Sequence, residues 1–217
     1  MSIAVVVGNG ESLKVTPLEK IKHPTFAVNR IHKIYPHTSW RPDYYVRVEP
    51  VDLERDNEKV VQDFQEECRL HVRLGEQCTF PKIWKEWLGE YPNVTYRSTC
   101  RHFSRKRVPG GWHLPMLCDY GTVITAAIQE AVIRGFTEIV LVGCDLTGEH
   151  FSPDYGQAAI QTGLWRTAHE IAKRESDTMG ISIYNATIGG SLEVYPRVNL
   201  ETYLVDRQRQ ELAANPA

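Results

Sequence analysis

Short apolar and β-branched runs recur along the chain, each bounded by Gly, Pro, Asn or Asp, and the stretches between them carry apolar positions three and four apart. The short runs predict strands at residues 3–7, 25–28, 44–48, 70–72, 94–96, 138–142 and 181–184. Helical spacing is clearest over residues 121–134, where Ile124, Ala127, Ile128 and Ala131 share a face and Gly135 ends the run. A second helix is expected over about residues 158–177, with Ile160, Leu164, Ala168, Ile171 and Ala172 on one side and Gly180 beyond it. Alternating strands and helices imply an α/β fold: one Rossmann-like domain over residues 1–205, a mostly parallel sheet with helices on both faces. Residues 206–217 read as a frayed, dispensable C-terminal tail.

With 217 residues, 42% of them hydrophobic and 24% charged, the chain can bury a sizeable core without metals or disulfides. No apolar run approaches the roughly 20 residues of a membrane helix, so no membrane span is expected. The opening MSIAVVVGNG has no basic start and no small-residue cleavage site, and reads as a first strand of a cytoplasmic protein. Five cysteines, Cys68, Cys78, Cys100, Cys118 and Cys144, are odd in number and lack C-x-x-C spacing, so reduced thiols are expected. A net charge of −2 gives no global attraction to nucleic acid or anionic lipid. The local exception is Arg101-His102-Phe103-Ser104-Arg105-Lys106-Arg107, leading into Pro109-Gly110-Gly111. It fits a solvated loop or a basic lid hinged over an anionic ligand. Trp84, Trp87 and Trp112 are expected at the surface, as a homo-oligomer contact or an acceptor groove.

The first strand runs directly into Gly8-Asn9-Gly10, then Glu11 and Ser12. A strand, a glycine turn and a helix start at the carboxyl edge of a parallel sheet form a candidate phosphate site, the alternative being a tight connection without ligand. The dinucleotide fingerprint fails: Leu13 stands where a third glycine is needed, and Asn29-Arg30 where the second strand needs an acid. The phosphate-loop pattern fails because no G-K-[ST] follows. Asn9 and Asn29 end neighbouring predicted strands, and two amides facing one crevice can donate to and accept from a base, ribose or sugar. Asp119 as a cap, with the N–H groups of Gly121 and Thr122, makes a second anion site at the next helix start.

The segment LVGCDLTGEHFSPDYG, residues 141–156, crowds Asp145, Glu149, His150, Asp154 and Tyr155 into one loop at the same edge. A turn-capping role for Asp145 and a loop role for His150 are the structural alternatives. No second histidine stands at ligand spacing, so no metal is expected. No G-x-S-x-G elbow is present, and Cys144 lies against Asp145, which raises a thiol pKa, so hydrolase nucleophiles find no support.

GNGESL, AVNR, RPDYYVRVEP, YGTVITAAIQEAVIRGFTEIVLVGCDL, HFSPDYG and IYNATIGGSLEVYPRV, in this order from Val5 to about Leu204, resemble the 6-hydroxymethylpterin pyrophosphokinase-like family, itself similar to bacterial metal-independent sialyltransferases. The sialyltransferase resemblance implies a modified Rossmann fold, a CMP-activated acidic sugar as donor, and inverting transfer to a glycan or other hydroxyl acceptor without a metal or other cofactor. It implies nucleotide contacts from Gly8, Asn9, Gly10, Ser12, Asn29, Asp119, Gly121 and Thr122. The family's general base is a histidine after the aspartate loop, but none lies between Phe151 and Ala168 here. By position the catalytic set becomes His150, Asp145 and Tyr155, with Arg105 and Arg107 as cations for the leaving phosphate; His169 lies far along the second helix. The pyrophosphokinase branch would instead use ATP and magnesium, with Asp145, Glu149 and Glu49 as the available acids. A third reading is a nucleotide-sugar-binding module that has lost catalysis.

Overall fold

Ile3–Val7 forms β1, buried along its whole length, and its side chains alternate between two cores. Ile3, Val5 and Val7 enter one; Ala4 and Val6 enter the other. A strand that is apolar on both faces needs helices above and below it, and this chain supplies them. The computed structural model describes residues 2–48, 57–100, 111–118, 121–153 and 162–214, without the side chains of 162, 208 and 210–214. The basic segment 101–107, the expected helix start at 158–161, Glu49, Asp119, Asp154 and Tyr155 lie outside the described residues.

The further strands are β2 (Thr25–Val28), β3 (Tyr44–Val46), β4 (Gln77–Pro81), β5 (Val94–Arg97), β6 (Thr99–Cys100), β7 (Leu117–Cys118), β8 (Glu138–Val142) and β9 (Ser182–Asn185). Seven of them make one parallel sheet in the order β5-β4-β3-β2-β1-β8-β9. The helices are α1 (Glu58–Arg73), α2 (Lys85–Leu88), α3 (Val123–Ile133), α4 (Thr162–Thr178) and α5 (Leu200–Ala214). Phe64, Cys68 and Val72 of α1, with Leu200 and Leu204 of α5, cover the Val5 face. Ile124, Ile128 and Ala131 of α3 cover the Val6 face. The result is the expected Rossmann-like α/β domain. The strand order reverses at β1, which has β2 on one side and β8 on the other, so the carboxyl ends of these strands mark the ligand-binding edge of such a sheet.

Several expectations are corrected. Leu70, His71 and Val72 are not a strand but the end of α1. Phe64, Cys68, His71 and Val72 are its buried residues, four, three and one apart, a helical face whose last turn looks strand-like in isolation. The strand comes later as β4, beyond the Gly75 turn at φ 80°. The segment from Arg207 is not frayed through its length: α5 runs to Ala214, and Arg207 pairs with the buried Glu138 at 2.8 Å. Trp84 is core, packed on Phe64, Phe80 and Trp87. Cys100 and Cys118 are paired as a disulfide, because the parallel register of β6 and β7 sets them opposite each other with Cα atoms 5.0 Å apart. Cys68, Cys78 and Cys144 are free and buried.

His169, on α4, is 2% exposed. Its Nδ1 lies 3.1 Å from the Tyr195 hydroxyl, which also stands 3.1 Å from its carbonyl. Burial pushes its pKa down to about 4 from the ordinary 6.5, so the fold holds the imidazole neutral. His32 is lowered to about 4 in the same way, first by burial and then by His71. The unfolded chain therefore takes up protons below pH 6.5 that the folded chain refuses until about pH 4. Stability is complete above this window and falls as the pH drops through it. Replacing His169 with Gln should make the urea-derived unfolding free energy less steep across the window by about 1.4 kcal/mol per pH unit. An unchanged slope would contradict the assignment.

Candidate nucleotide site

The glycines of the first turn answer to packing. Gly8 N–H donates to Val142 O and Gly10 N–H to Gly143 O, both at 2.8 Å, so these groups are spent on β8 and do not form a phosphate cradle. A Cβ on Gly8 would collide with the Gly143 carbonyl, and one on Gly10 with the Asp145 carboxylate. Residues 11–14 after the turn form a four-residue 3₁₀ helix, where the sequence implied a longer helix start. Its Ser12 N–H and hydroxyl are taken by Asp145, at 3.1 and 2.8 Å. The turn thus binds the β8 loop instead of offering an open nest of N–H groups.

On the β1–β2 side the Asn9 side chain makes the contact. The register that pairs Val5 with Thr25 and Val7 with Ala27 sets Asn9 opposite Asn29 when continued past the strand ends. Asn9 Nδ2 donates to Val28 O at 2.9 Å, tying the two ends together. Asn29 is one of two non-glycine residues with positive φ among the described residues, at 50°, a conformation asparagine tolerates better than most. Both asparagines are buried, 8% and 7% exposed. α3 runs back toward the start of β8, so its N-terminus lies at the same carboxyl edge. Its N-cap is Thr122, whose hydroxyl accepts from Ile124 N–H at 3.4 Å, in place of the expected Asp119. Gly121 precedes it at φ 101°, pressed on Leu164.

Across β1, the β8 loop folds back over the turn. Gly10 and His150 form an antiparallel bridge, and Phe151 N–H donates to Asn9 O at 3.1 Å. His150 Nδ1 lies 3.2 Å from the same carbonyl; with the proton on Nδ1, Nε2 is the basic atom, enclosed against solvent. Burial raises the Asp145 carboxyl pKa, an effect the two Ser12 hydrogen bonds oppose. Glu149 and Glu11 share a hydrogen bond that holds Glu149 above its ordinary range, while Lys14 is the main influence holding Glu11 below. Burial, then Asp145, raises the Cys144 thiol, which is unfit as a nucleophile. Among the described residues no group of three or more His, Cys, Asp or Glu side chains could hold a metal ion.

The structure therefore brings Gly8, Asn9, Gly10, Ser12, Asp145 and His150 into one knot. Asn29 lies beside them at the end of the next strand. Two contributors were not read from the sequence. Arg197 donates to the carbonyls of Thr187, Gly189 and Gly190, shaping the loop after β9, which backs Asp145 through Ser191 N–H donating to Asp145 O at 2.7 Å. Below Asn29, Arg47 and Arg30 both pair with Glu67 of α1, at 2.7 and 3.1 Å. The only sequence sign of this was a charged residue inside YYVRV, where a buried strand would be apolar.

No protein-family model matches the chain, and no curated protein matches it. Among solved structures it is similar to the MAf glycosyltransferase from Magnetospirillum magneticum AMB-1, with a TM-score of 0.58 at 16% identity, over 98% of this chain and 37% of that one. The chain thus spans little more than a third of that protein's length. Two structures of the sialyltransferase CST-II lie further off. One holds a trisaccharide acceptor and CMP, with a TM-score of 0.43 at 11% identity over 91% of this chain and 86% of that one. The other, from Campylobacter jejuni in complex with CMP, has a TM-score of 0.39 at 10% identity over 90% of this chain and 84% of that one. The likeness to MAf is one of fold.

The knot makes Asp145 a measurable contributor to stability. Replacing it with Ala strands the buried Ser12 N–H and hydroxyl, and should lower the unfolding free energy by about 2–3 kcal/mol in urea titration. Ser12→Ala, which keeps the N–H bond, should cost about 1 kcal/mol. A denaturation midpoint unmoved in Asp145→Ala would contradict the structural role.

Proposed function

We propose that this chain is the nucleotide-binding core of a glycosyltransferase that uses a CMP-linked acidic sugar and no metal. The observation that carries this reading is that Asn9, tied through Nδ2 to Val28 O, lies against the strand end that leads into Asn29, at the strand-order reversal and on the edge where α3 begins. Two amides there can hold a ribose or pyrimidine through donor and acceptor together. The α3 start, with the Gly121 and Thr122 N–H groups, suits the negative charge that grows on the leaving phosphate. The choice of CMP over other nucleotides rests on the sequence resemblance, and glycosyl transfer on that resemblance together with the shared fold.

In this reading His150 is the base. Its Nδ1–H donates to Asn9 O, fixing the tautomer with the lone pair on Nε2; that atom is enclosed in the free protein, so its neighbours must move as the acceptor binds before Nε2 can take the hydroxyl proton. Asp145 holds the turn through Ser12, a supporting role and not a proton-transfer one. The roles given to Tyr155, Asp119, Arg105 and Arg107 rest on the sequence alone. The ATP-and-magnesium alternative is weakened at Asp145, both of whose oxygens accept from Ser12.

CMP at about 100 times its Kd, without magnesium, should add about 2.7 kcal/mol of stability. The melting temperature should then rise by about 5–10 °C in thermal-shift measurements. No shift with CMP or CTP, together with a shift under ATP and magnesium, would favour the pyrophosphokinase reading. His150→Ala should keep the CMP shift and lower turnover of a CMP-sugar by about 100-fold or more. Unchanged turnover would remove His150 from the mechanism. CMP binding with no turnover by the unaltered protein would favour the binding module.

A further inference from the structure

Beneath Asn29 lies a stack of buried polar side chains that the proposed chemistry does not use. The Asn29 carbonyl accepts a hydrogen bond from the Tyr45 hydroxyl at 2.7 Å. Tyr45 is fully buried on β3, and its ring lies flat against His71 of α1, with centroids 3.5 Å apart and planes 9° apart. His71 Nδ1 is 2.6 Å from Glu76 Oε2, and the Tyr35 hydroxyl donates to Glu76 Oε1 at 2.7 Å. His71 is fully buried and Glu76 is 5% exposed, so both carboxylate oxygens have a partner inside the protein. Every element around the β2–β3 edge contributes: the helical turn after β2, β3, α1 and the approach to β4.

A core that only needed filling would place phenylalanine at position 45. The hydroxyl, with the Arg47 guanidinium beside it, donates to one backbone carbonyl, and that carbonyl belongs to a residue in the left-handed region, where a non-glycine residue costs on the order of 1 kcal/mol or more unless its surroundings hold it. We propose that Tyr45, clamped by His71 and Glu76, is a positioning residue of the nucleotide site: its hydroxyl holds Asn29 in the left-handed conformation that sets the Asn29 amide beside Asn9. Burial supports this by keeping the Tyr45 phenol well above its ordinary pKa, so that it remains a donor. The inference rests on the nucleotide reading for its consequence, but not for its geometry.

Two readouts separate these. The first is amide hydrogen exchange at residues 29 and 30 in the free protein. Tyr45→Phe, which keeps the ring and its stack, should speed exchange there while leaving the centres of β1 and β8 protected. The second is CMP affinity by calorimetry. Tyr45→Phe should weaken CMP by about tenfold, the loss of one buried hydrogen bond. Asn29→Gly should itself weaken binding by removing the amide. Because glycine adopts positive φ unaided, adding Tyr45→Phe to Asn29→Gly should change affinity by no more than about twofold. The same tenfold loss in both backgrounds would make Tyr45 merely structural and overturn the proposal, as would unchanged exchange at residues 29 and 30. Faster exchange in a protein with no CMP affinity, or with affinity unmoved by Asn29→Gly, would overturn the nucleotide reading and the functional role of Tyr45, leaving only the hold on the backbone.

Discussion

The contact on which the site depends is the close approach of the β1 turn to the β8 loop, sealed by the Asp145 carboxylate on Ser12. Two backbone bonds, Gly8 to Val142 and Gly10 to Gly143, bring the chains so near that neither turn glycine can carry a side chain. Asp145 then closes the space above Gly10, and Gly190 packs on Asp145 from the far side under the hold of Arg197. A buried carboxylate is costly unless its oxygens are satisfied, and here the polar groups of Ser12 satisfy them. The knot fixes where β1 ends and so where Asn9 stands.

Beyond that point the two sides of β1 differ. The β1–β8 cleft, the usual place for a ligand at a strand-order reversal, is covered by the bridge from Gly10 to His150 and the bond from Phe151 to Asn9. The β1–β2 side carries the two asparagines. Backbone donors in the first turn are spent on the protein itself, so in the proposed reading nucleotide recognition falls to side-chain amides and the start of α3. The bond to Val28 O pre-organises the Asn9 amide, which in that reading limits the ordering cost of binding.

The fold was legible where local pattern and tertiary environment agreed. β1, β2 and β8 are β-branched runs buried on both faces, and their limits follow from flanking turn residues. α1 was misread because Leu70 to Val72 is apolar enough for a strand once the preceding seam from Phe64 is overlooked. β4 was missed because Gln77, Cys78 and Thr79 carry little apolar signal and are buried only by tertiary packing. In the site, the sequence marked Gly8, Gly10 and Asp145 as important yet left their roles open. A glycine that admits a phosphate and one that admits a neighbouring strand look alike until the neighbour is known. Tyr45 and Glu67 act across gaps of 16 and 20 residues and Arg197 across 7 to 10, and no local spacing announces such partners.

The most direct test of the central claim is a crystal structure of the protein soaked with CMP in the absence of divalent cations. The account predicts the cytidine between Asn9 and Asn29, with its phosphate against the N–H groups that begin α3 at Gly121 and Thr122. CMP bound with its phosphate on the Gly8-Asn9-Gly10 turn, or bound away from both asparagines, would contradict it.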